Sequence, residues 1–269
     1  MAYTNTHAQP VTINTLRNYK SEQRRFSCIS LYDAPSSALA AQQGIATVLV
    51  GDSLGMTVQG HSSTLPVTME HMLYHTAAVA RNNAFSLIIA DMPFMSYSTP
   101  EAAMSNAALL MQAGAHMVKL EGGAWLGDTI SRLSEQGIPV CAHLGLTPQS
   151  VNKLGGYKVQ GRDEQQGKAI IDDANALEAA GADLLVLECV PATLATNMTQ
   201  SLSIPTIGIG AGNGTDAQVL VINDLIGLTE KPPKFSKNFL AEAGSIAAAF
   251  QAFDKQVKSG QFPSDEHSF

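Results

Sequence analysis

The chain has 269 residues, 45% of them hydrophobic and 14% charged. That charged share is well below the roughly 25% of an average globular domain, which excludes disorder and favours a large buried core. The net charge is −7, from 16 Lys+Arg against 23 Asp+Glu. No basic run interleaves with aromatics, so neither nucleic acid nor an anionic membrane surface is an expected partner.

The opening MAYTNTHAQPVTINTLRNYK lacks the apolar core of a secretory signal, and no apolar run approaches the ~20 residues that span a bilayer. Cys28, Cys141 and Cys189 lie inside apolar runs, are odd in number and match no zinc or redox spacing. They read as reduced core thiols, and a cytoplasmic location is expected. We expect one domain, 1–269, with residues 1–10 a flexible tail. A short helix over 11–20 precedes the core and is placed to cap its bottom.

Short apolar runs then recur: FSCISLYD, ATVLVGD, SLIIADMP, HMVKLEG, PVCAHLG, LLVLECV, PTIGIGAG and DLIGL. Between them lie Ala-rich segments with helical spacing, such as TPEAAMSNAALLMQAGA and EQQGKAIIDDANALEAAGA. Thr99-Pro100-Glu101 predicts an N-cap with Pro at the first helical position. Ala113-Gly114 and Ala180-Gly181 predict helix C-caps. The residues 236–258 read as one long amphipathic helix closing a ring. Strands alternating with helices imply a parallel sheet covered on both faces. Eight such units in about 250 residues predict a (β/α)8 TIM barrel. The alternative, an open doubly wound sheet, lacks its GxGxxG fingerprint after the first run. Gly208, Gly210 and Gly212 follow the seventh run instead and suit either an anion-binding turn or an ordinary barrel corner. Two gaps exceed what one helix needs, MTVQGHSSTLPVT and TPQSVNKLGGYKVQGR. Both follow strand C-terminal ends, the catalytic face of a barrel.

Four runs end in acids: Asp52, Asp91, Glu121 and Glu188. In a barrel all four face one mouth. Lys119 stands two residues before Glu121, so both point to the same side of their strand. Four carboxylates and one lysine cannot all stay ionised cheaply, because burial and like charge raise each carboxyl pKa. A divalent cation resolves the conflict. The donors are hard oxygens with no Cys or His cluster, which suits Mg²⁺ or Mn²⁺ rather than Zn²⁺. Mg²⁺ takes one or two protein carboxylates and leaves another acid free as a general base. Glu188, on an apolar strand that should raise its pKa, is the candidate. His143 also ends a strand and reads as a proton donor, a substrate contact or a structural histidine. No GxSxG motif or Cys–His pairing supports nucleophilic hydrolysis.

These residues carry a resemblance. VGDSLGMTVQGHSSTLPVT, ADMPFMSY, MVKLEGG, HLGLTPQSVNKLGGYKVQGR, LLVLECVP, IGIGAGNGTDAQVLV and the closing EHSF resemble the ketopantoate hydroxymethyltransferase family from about residue 12 onward. The resemblance implies a (β/α)8 barrel of the phosphoenolpyruvate mutase/isocitrate lyase group. It also implies Mg²⁺, 5,10-methylenetetrahydrofolate as one-carbon donor, 3-methyl-2-oxobutanoate as acceptor, and a homodecamer serving the first committed step of pantothenate synthesis. By resemblance Asp52 and Asp91 bind the metal, with Glu121 a third acid acting through water. Asp52, Ser53, Asp91 and Lys119 contact the oxo acid, and Glu188 accepts the proton. Ser62 departs from the Asp of many members, without touching the acids.

Two other functions compete with it. A Mg²⁺-dependent C–C lyase or mutase of the same superfamily is expected to show a KKCGH-like loop, which is missing here. A catalytically inactive assembly module would be expected to have lost one of Asp52, Asp91, Lys119 or Glu188, and all four are present.

Overall fold

A computed structural model describes residues 9–269, so most of the expected 1–10 tail lies outside the described residues. The first helix, α1 (Ile13–Ser21), is opened by a Thr12 capping box. It seals the lower end of the barrel. Val11 and Leu16 pack against Phe26, Leu87, Met117 and Leu184, all near the starts of strands. Lys20 Nζ donates to Asp216 Oδ2 at 2.9 Å and to Thr199 O at 2.8 Å.

Eight parallel strands close on themselves in chain order. They are β1 (Phe26–Ser30), β2 (Thr47–Val50), β3 (Leu87–Asp91), β4 (Met117–Glu121), β5 (Val140–Gly145), β6 (Leu184–Glu188), β7 (Thr206–Ile209) and β8 (Ala217–Val221). The ring closes by pairing of β1 with β8, Phe26 opposite Ala217 and Ser30 opposite Val221. The connecting helices are α2 (Ala34–Gln42), α3 (Leu54–Thr57), α4 (Met69–Ala80), α5 (Pro100–Gln112), α6 (Gly127–Glu135), α7 (Val151–Leu154), α8 (Glu164–Ala179) and α9 (Ala192–Ser201). After β8 come α10 (Ile222–Leu225), α11 (Leu240–Ala243) and α12 (Ile246–Lys258). The predicted caps hold. Thr99 Oγ1 accepts from Ala102 N, and Gly114 and Gly181 follow the Ala C-caps at φ 108° and 104°.

Two element assignments need correction. The eighth strand is Ala217–Val221, not DLIGL, which falls in α10 and the turn after it. The seven residues between β7 and β8 hold no helix, so the strand–helix rhythm on which DLIGL was chosen breaks here. The final helix is also not continuous over 236–258. Gly244 takes a left-handed φ of 74° and ends α11, and Ser245 caps α12 by accepting from Ala248 N. A Gly-Ser pair is a stop followed by a start.

Strand periodicity divides the interior. Residues facing outward from the sheet join the helices in one core, with Phe250 and Phe253 of α12 fully buried. Each such ring contributes about 1.5–3 kcal/mol by leaving water. Residues facing the barrel axis form a second core that runs from Phe26, Leu87, Met117 and Cys141 up to Ile89 and Val186. Above that apolar plug the same strands turn polar. Leu87 and Ile89 lead to Asp91, Met117 leads to Lys119 and Glu121, and Cys141 leads to His143. All three cysteines are buried and unpaired, as expected. Burial pushes the Cys28 thiol up to about 12.

Candidate active site

The polar upper layer opens into a cavity of about 850 Å³ that Asp52, Ser53, Asp91, Lys119, Glu121, His143 and Glu188 all line. All the predicted site residues therefore meet in one mouth. Sheet register sets their neighbours: Asp91 lies opposite Lys119, Glu121 opposite His143, and Glu188 opposite Gly145. Asp52 arrives differently. β2 ends at Val50, and the chain turns at Gly51 into α3. A Cβ on Gly51 would lie 2.8 Å from Ser53 Oγ and 3.0 Å from Ser30 Oγ. Only glycine leaves room for the turn that carries Asp52 and Ser53 inward.

Asp52, Asp91, Lys119 and Glu121 are each 5% exposed or less. Lys119 Nζ lies 2.8 Å from Asp91 Oδ1 and 3.6 Å from Glu121 Oε1. The nearer contact is a buried ion pair, and among the described residues Lys119 is the one partner of Asp91 Oδ1. Asp91 Oδ2 accepts from the Asp52 N–H at 3.0 Å. Burial lowers an ammonium, yet Asp91, Glu121 and Asp52 together hold Lys119 well above its ordinary value. Burial, with Asp91 and Glu121 close by, drives Asp52 well above the carboxylate range. Burial raises Asp91 too, against the pull of Lys119. Burial acts the same way on Glu121, but His143 and Lys119 hold that carboxyl below its usual value.

His143 joins the acids. Its Nδ1 is 3.3 Å from Glu121 Oε1 and 3.2 Å from Lys119 Nζ, and its Nε2 is 3.3 Å from Glu188 Oε2. Burial and the Lys119 charge lower its pKa, while Glu121 and Glu188 outweigh them and raise it to about 9. Nδ1 then donates to Glu121 rather than accepting from Lys119. The Nε2 contact is not aligned as a hydrogen bond, so it orients Glu188 by charge. Glu188 itself keeps 16% of its side chain exposed. The burial that the apolar strand suggested for this acid is only partial.

Sequence reasoning passed over Gln149. It sits in the turn after β5 and is buried. Its Nε2 donates to Asp52 Oδ2 at 2.8 Å and to Met92 O at 2.9 Å, and its N–H donates to Glu121 Oε2 at 3.0 Å. Tyr97 Oη donates to its Oε1. Gln149 thus fixes two of the acids at once. Its signal was the long loop TPQSVNKLGGYKVQGR, flagged as functional without choosing a residue. Tyr32 was also missed, and its Oη shares a 2.8 Å hydrogen bond with Ser53 Oγ. The other long loop meets this one across the mouth, where Tyr157 Oη donates to Met56 Sδ at 3.4 Å. Met56 is an exposed residue of the mouth. Gly210 and Gly212 form a crowded corner, where added Cβ atoms would meet Phe235 at 2.9 Å and Ala192 at 2.4 Å.

Among the described residues no three His, Cys, Asp or Glu side chains converge at metal-ligating geometry. Asp52 and Asp91 nevertheless fit a Mg²⁺-like cation, which asks for one or two carboxylates. Both are buried against each other at raised pKa, and two carboxylates facing one ammonium leave negative charge for a cation to offset. Glu121 is engaged by Gln149 and His143, which suits a position one water away.

A family model described as ketopantoate hydroxymethyltransferase matches residues 10–265. The chain is 65% identical to a protein of Saccharophagus degradans named 3-methyl-2-oxobutanoate hydroxymethyltransferase, over 100% of both chains. It is 60% identical to a protein of the same name from Marinobacter nauticus, over 96% of this chain and 98% of that one. Among solved structures, a putative phosphonomutase from Burkholderia cenocepacia superposes with a TM-score of 0.63 at 16% identity, over 78% of this chain and 94% of that one. A 2,3-dimethylmalate lyase, titled a PEP mutase/isocitrate lyase superfamily member, gives 0.55 at 17% identity, over 77% and 80%. A phosphonopyruvate hydrolase complex with oxalate and Mg++ gives 0.61 at 12% identity, over 99% and 93%. These distant structures speak for the fold, the expected PEP mutase/isocitrate lyase-like barrel. The relatives and the family model speak for more: the chain belongs to the ketopantoate hydroxymethyltransferase family and is a transferase.

Proposed function

We propose that the enzyme moves a hydroxymethyl unit from 5,10-methylenetetrahydrofolate to C3 of 3-methyl-2-oxobutanoate. The product is 2-dehydropantoate, the first committed intermediate of pantothenate synthesis. The observation that carries this reading is the buried set Asp52–Asp91–Lys119–Glu121–His143, with the half-open Glu188 beside it. A divalent cation held by Asp52 and Asp91, with Glu121 acting through water, would supply Lewis-acid polarisation of the 2-oxo group. Oxalate, a planar dianion shaped like an enolised 2-oxo acid, accompanies Mg++ in the phosphonopyruvate hydrolase neighbour, which favours the same pairing here.

Ser53 Oγ, held by Tyr32, donates to the substrate carboxylate. Glu188 removes the C3 proton, oriented by His143 and open enough to reach substrate. Lys119, kept protonated by three carboxylates, places positive charge near the developing oxyanion. Water releases the donor's methylene as formaldehyde through a folate-bound iminium, breaking both C–N bonds and leaving the two nitrogens as N–H. The enolate carbon forms the new C–C bond to that formaldehyde, and the alkoxide formed takes back the proton held by Glu188. Water supplies the hydroxyl oxygen. We further propose that the chain works as one barrel domain, as a homodecamer, in the cytoplasm; no described helix is long and apolar enough to cross a membrane.

The test is ¹³C-NMR with donor labelled at the methylene carbon. Label entering the product hydroxymethyl group, dependent on the oxo acid, is the expected result. Unlabelled acceptor, with cleavage of a C–C bond in a 2-oxo or phospho acid instead, would replace this reading with the lyase.

A further inference from the structure

The cavity is far larger than a five-carbon oxo acid requires. Its volume of about 850 Å³ falls within the roughly 300–1,000 Å³ of sites that enclose drug-sized ligands. Its charge is also divided by depth. The floor is acidic and buried. The rim carries Lys158, Arg162 and Lys231, which line the same cavity and are exposed. Lys158 and Arg162 come from the loop after β5, and Lys231 comes from the segment after α10. Among the described residues none of the three side chains forms an ion pair or hydrogen bond. Arg17, Lys20, Arg132, Lys168 and Lys258 are each paired with an acid, and other unpaired cations such as Arg25, Arg81, Lys153 and Lys255 do not line the cavity. In a chain of net charge −7, three unpaired cations around one opening are a local reversal of sign. Such a rim attracts and holds anions. The single carboxylate of the oxo acid is already provided for at the floor, by Ser53 and the cation site. The rim therefore faces a second anionic group, at the far end of a longer ligand. Three aromatic side chains, Tyr157, Phe235 and Phe269, line the same cavity.

We propose that Lys158, Arg162 and Lys231 bind the carboxylates of the co-substrate's tail, remote from the reacting carbon. In the folate donor this tail is one or more glutamyl units joined through an aromatic amide ring, and the three aromatic side chains face that ring. The inference rests on the folate reading above. It makes chain length a determinant of affinity, because each added glutamyl carboxylate finds rim charge.

The experiment compares wild type with K158A/R162A/K231A. The KM for 5,10-methylenetetrahydrofolate is measured with one and with three glutamyl units, and binding of p-aminobenzoyl-triglutamate is measured by calorimetry. Exposed charge pairs contribute modestly, about two- to fivefold each. The expected result is a rise of about tenfold in donor KM, loss of the triglutamate preference, and p-aminobenzoyl-triglutamate binding that weakens in the variant and at high salt. The KM for the oxo acid and donor-free C3 exchange stay within about twofold, which also verifies folding. Unchanged donor KM and unchanged triglutamate binding in a variant that still exchanges C3 protons overturn the proposal. If wild type turns over no folate, the folate reading falls. The fragment calorimetry then still decides the rim, with salt-insensitive or absent binding counting against it.

Discussion

Gln149 shows how much a single neutral side chain controls. It spans from Asp52 to Met92 O and Tyr97, while its backbone holds Glu121. Leucine would fill similar space and leave two buried acceptors, Asp52 Oδ2 and Met92 O, unmatched, while Tyr97 Oη keeps Glu121 O. An unsatisfied buried group costs about 1–3 kcal/mol, so Gln149→Leu is expected to lower stability by about 2 kcal/mol or more in urea unfolding. A loss under about 0.5 kcal/mol would show that Gln149 is not the link described. His143 gives a pH signature in the metal-free protein. Its folded pKa of about 9 exceeds the ordinary 6.5. Its stabilising contribution is therefore complete below pH 6.5 and is lost as pH rises through 9. Unfolding free energy should fall over that window in wild type and stay flatter in His143→Gln, and equal slopes would contradict it. Asp91 and Glu121 were legible as acids that end apolar runs, and Lys119 from its two-residue spacing to Glu121. Gln149 was not, because a loop residue's direction depends on tertiary placement that no period encodes.

At the level of elements, the Gly145–Glu188 contact joins two strands at the site. Gly145 ends β5 with φ 90°, and a Cβ there would lie 2.2 Å from Glu188 O and 2.7 Å from Val190 Cγ1. Glu188 O also accepts from Leu146 N at 2.8 Å. Gly145→Ala must therefore strain the left-handed backbone, at about 1–3 kcal/mol, and push β6 outward at its catalytic end. We expect kcat to fall by more than about tenfold with KM for the oxo acid nearly unchanged, since the displaced group is the proposed base. A wild-type kcat would mean that β6 tolerates the shift. Seven of the eight strands were legible as apolar runs. β8 was missed because AQVLV follows β7 after a short turn with no helix, and a search for alternation steps over it. The Gly244-Ser245 break was present in the sequence, but hydrophobic spacing continues across it and hides the stop.

On the scale of the whole molecule, the barrel keeps folding and chemistry apart along one axis. The lower layers and α1 form an apolar plug, and the upper layer concentrates charge that the fold alone does not neutralise. Composition showed that a large core was present, and the rhythm of runs showed a barrel. The acidic mouth followed from where those runs ended. The imbalance of charge was legible in the sequence, whereas the cavity's volume and its basic rim depend on how distant loops meet. The central claim is that this imbalance exists to hold a divalent cation beside a base that enolises a 2-oxo acid. It is tested most directly by deuterium exchange at C3 of 3-methyl-2-oxobutanoate in D₂O, with and without Mg²⁺, no folate present, in wild type and Glu188→Gln. The account predicts exchange that requires Mg²⁺ and disappears in Glu188→Gln while Mg²⁺ binding persists. Exchange that ignores Mg²⁺, or that continues at the wild-type rate without Glu188, would contradict it.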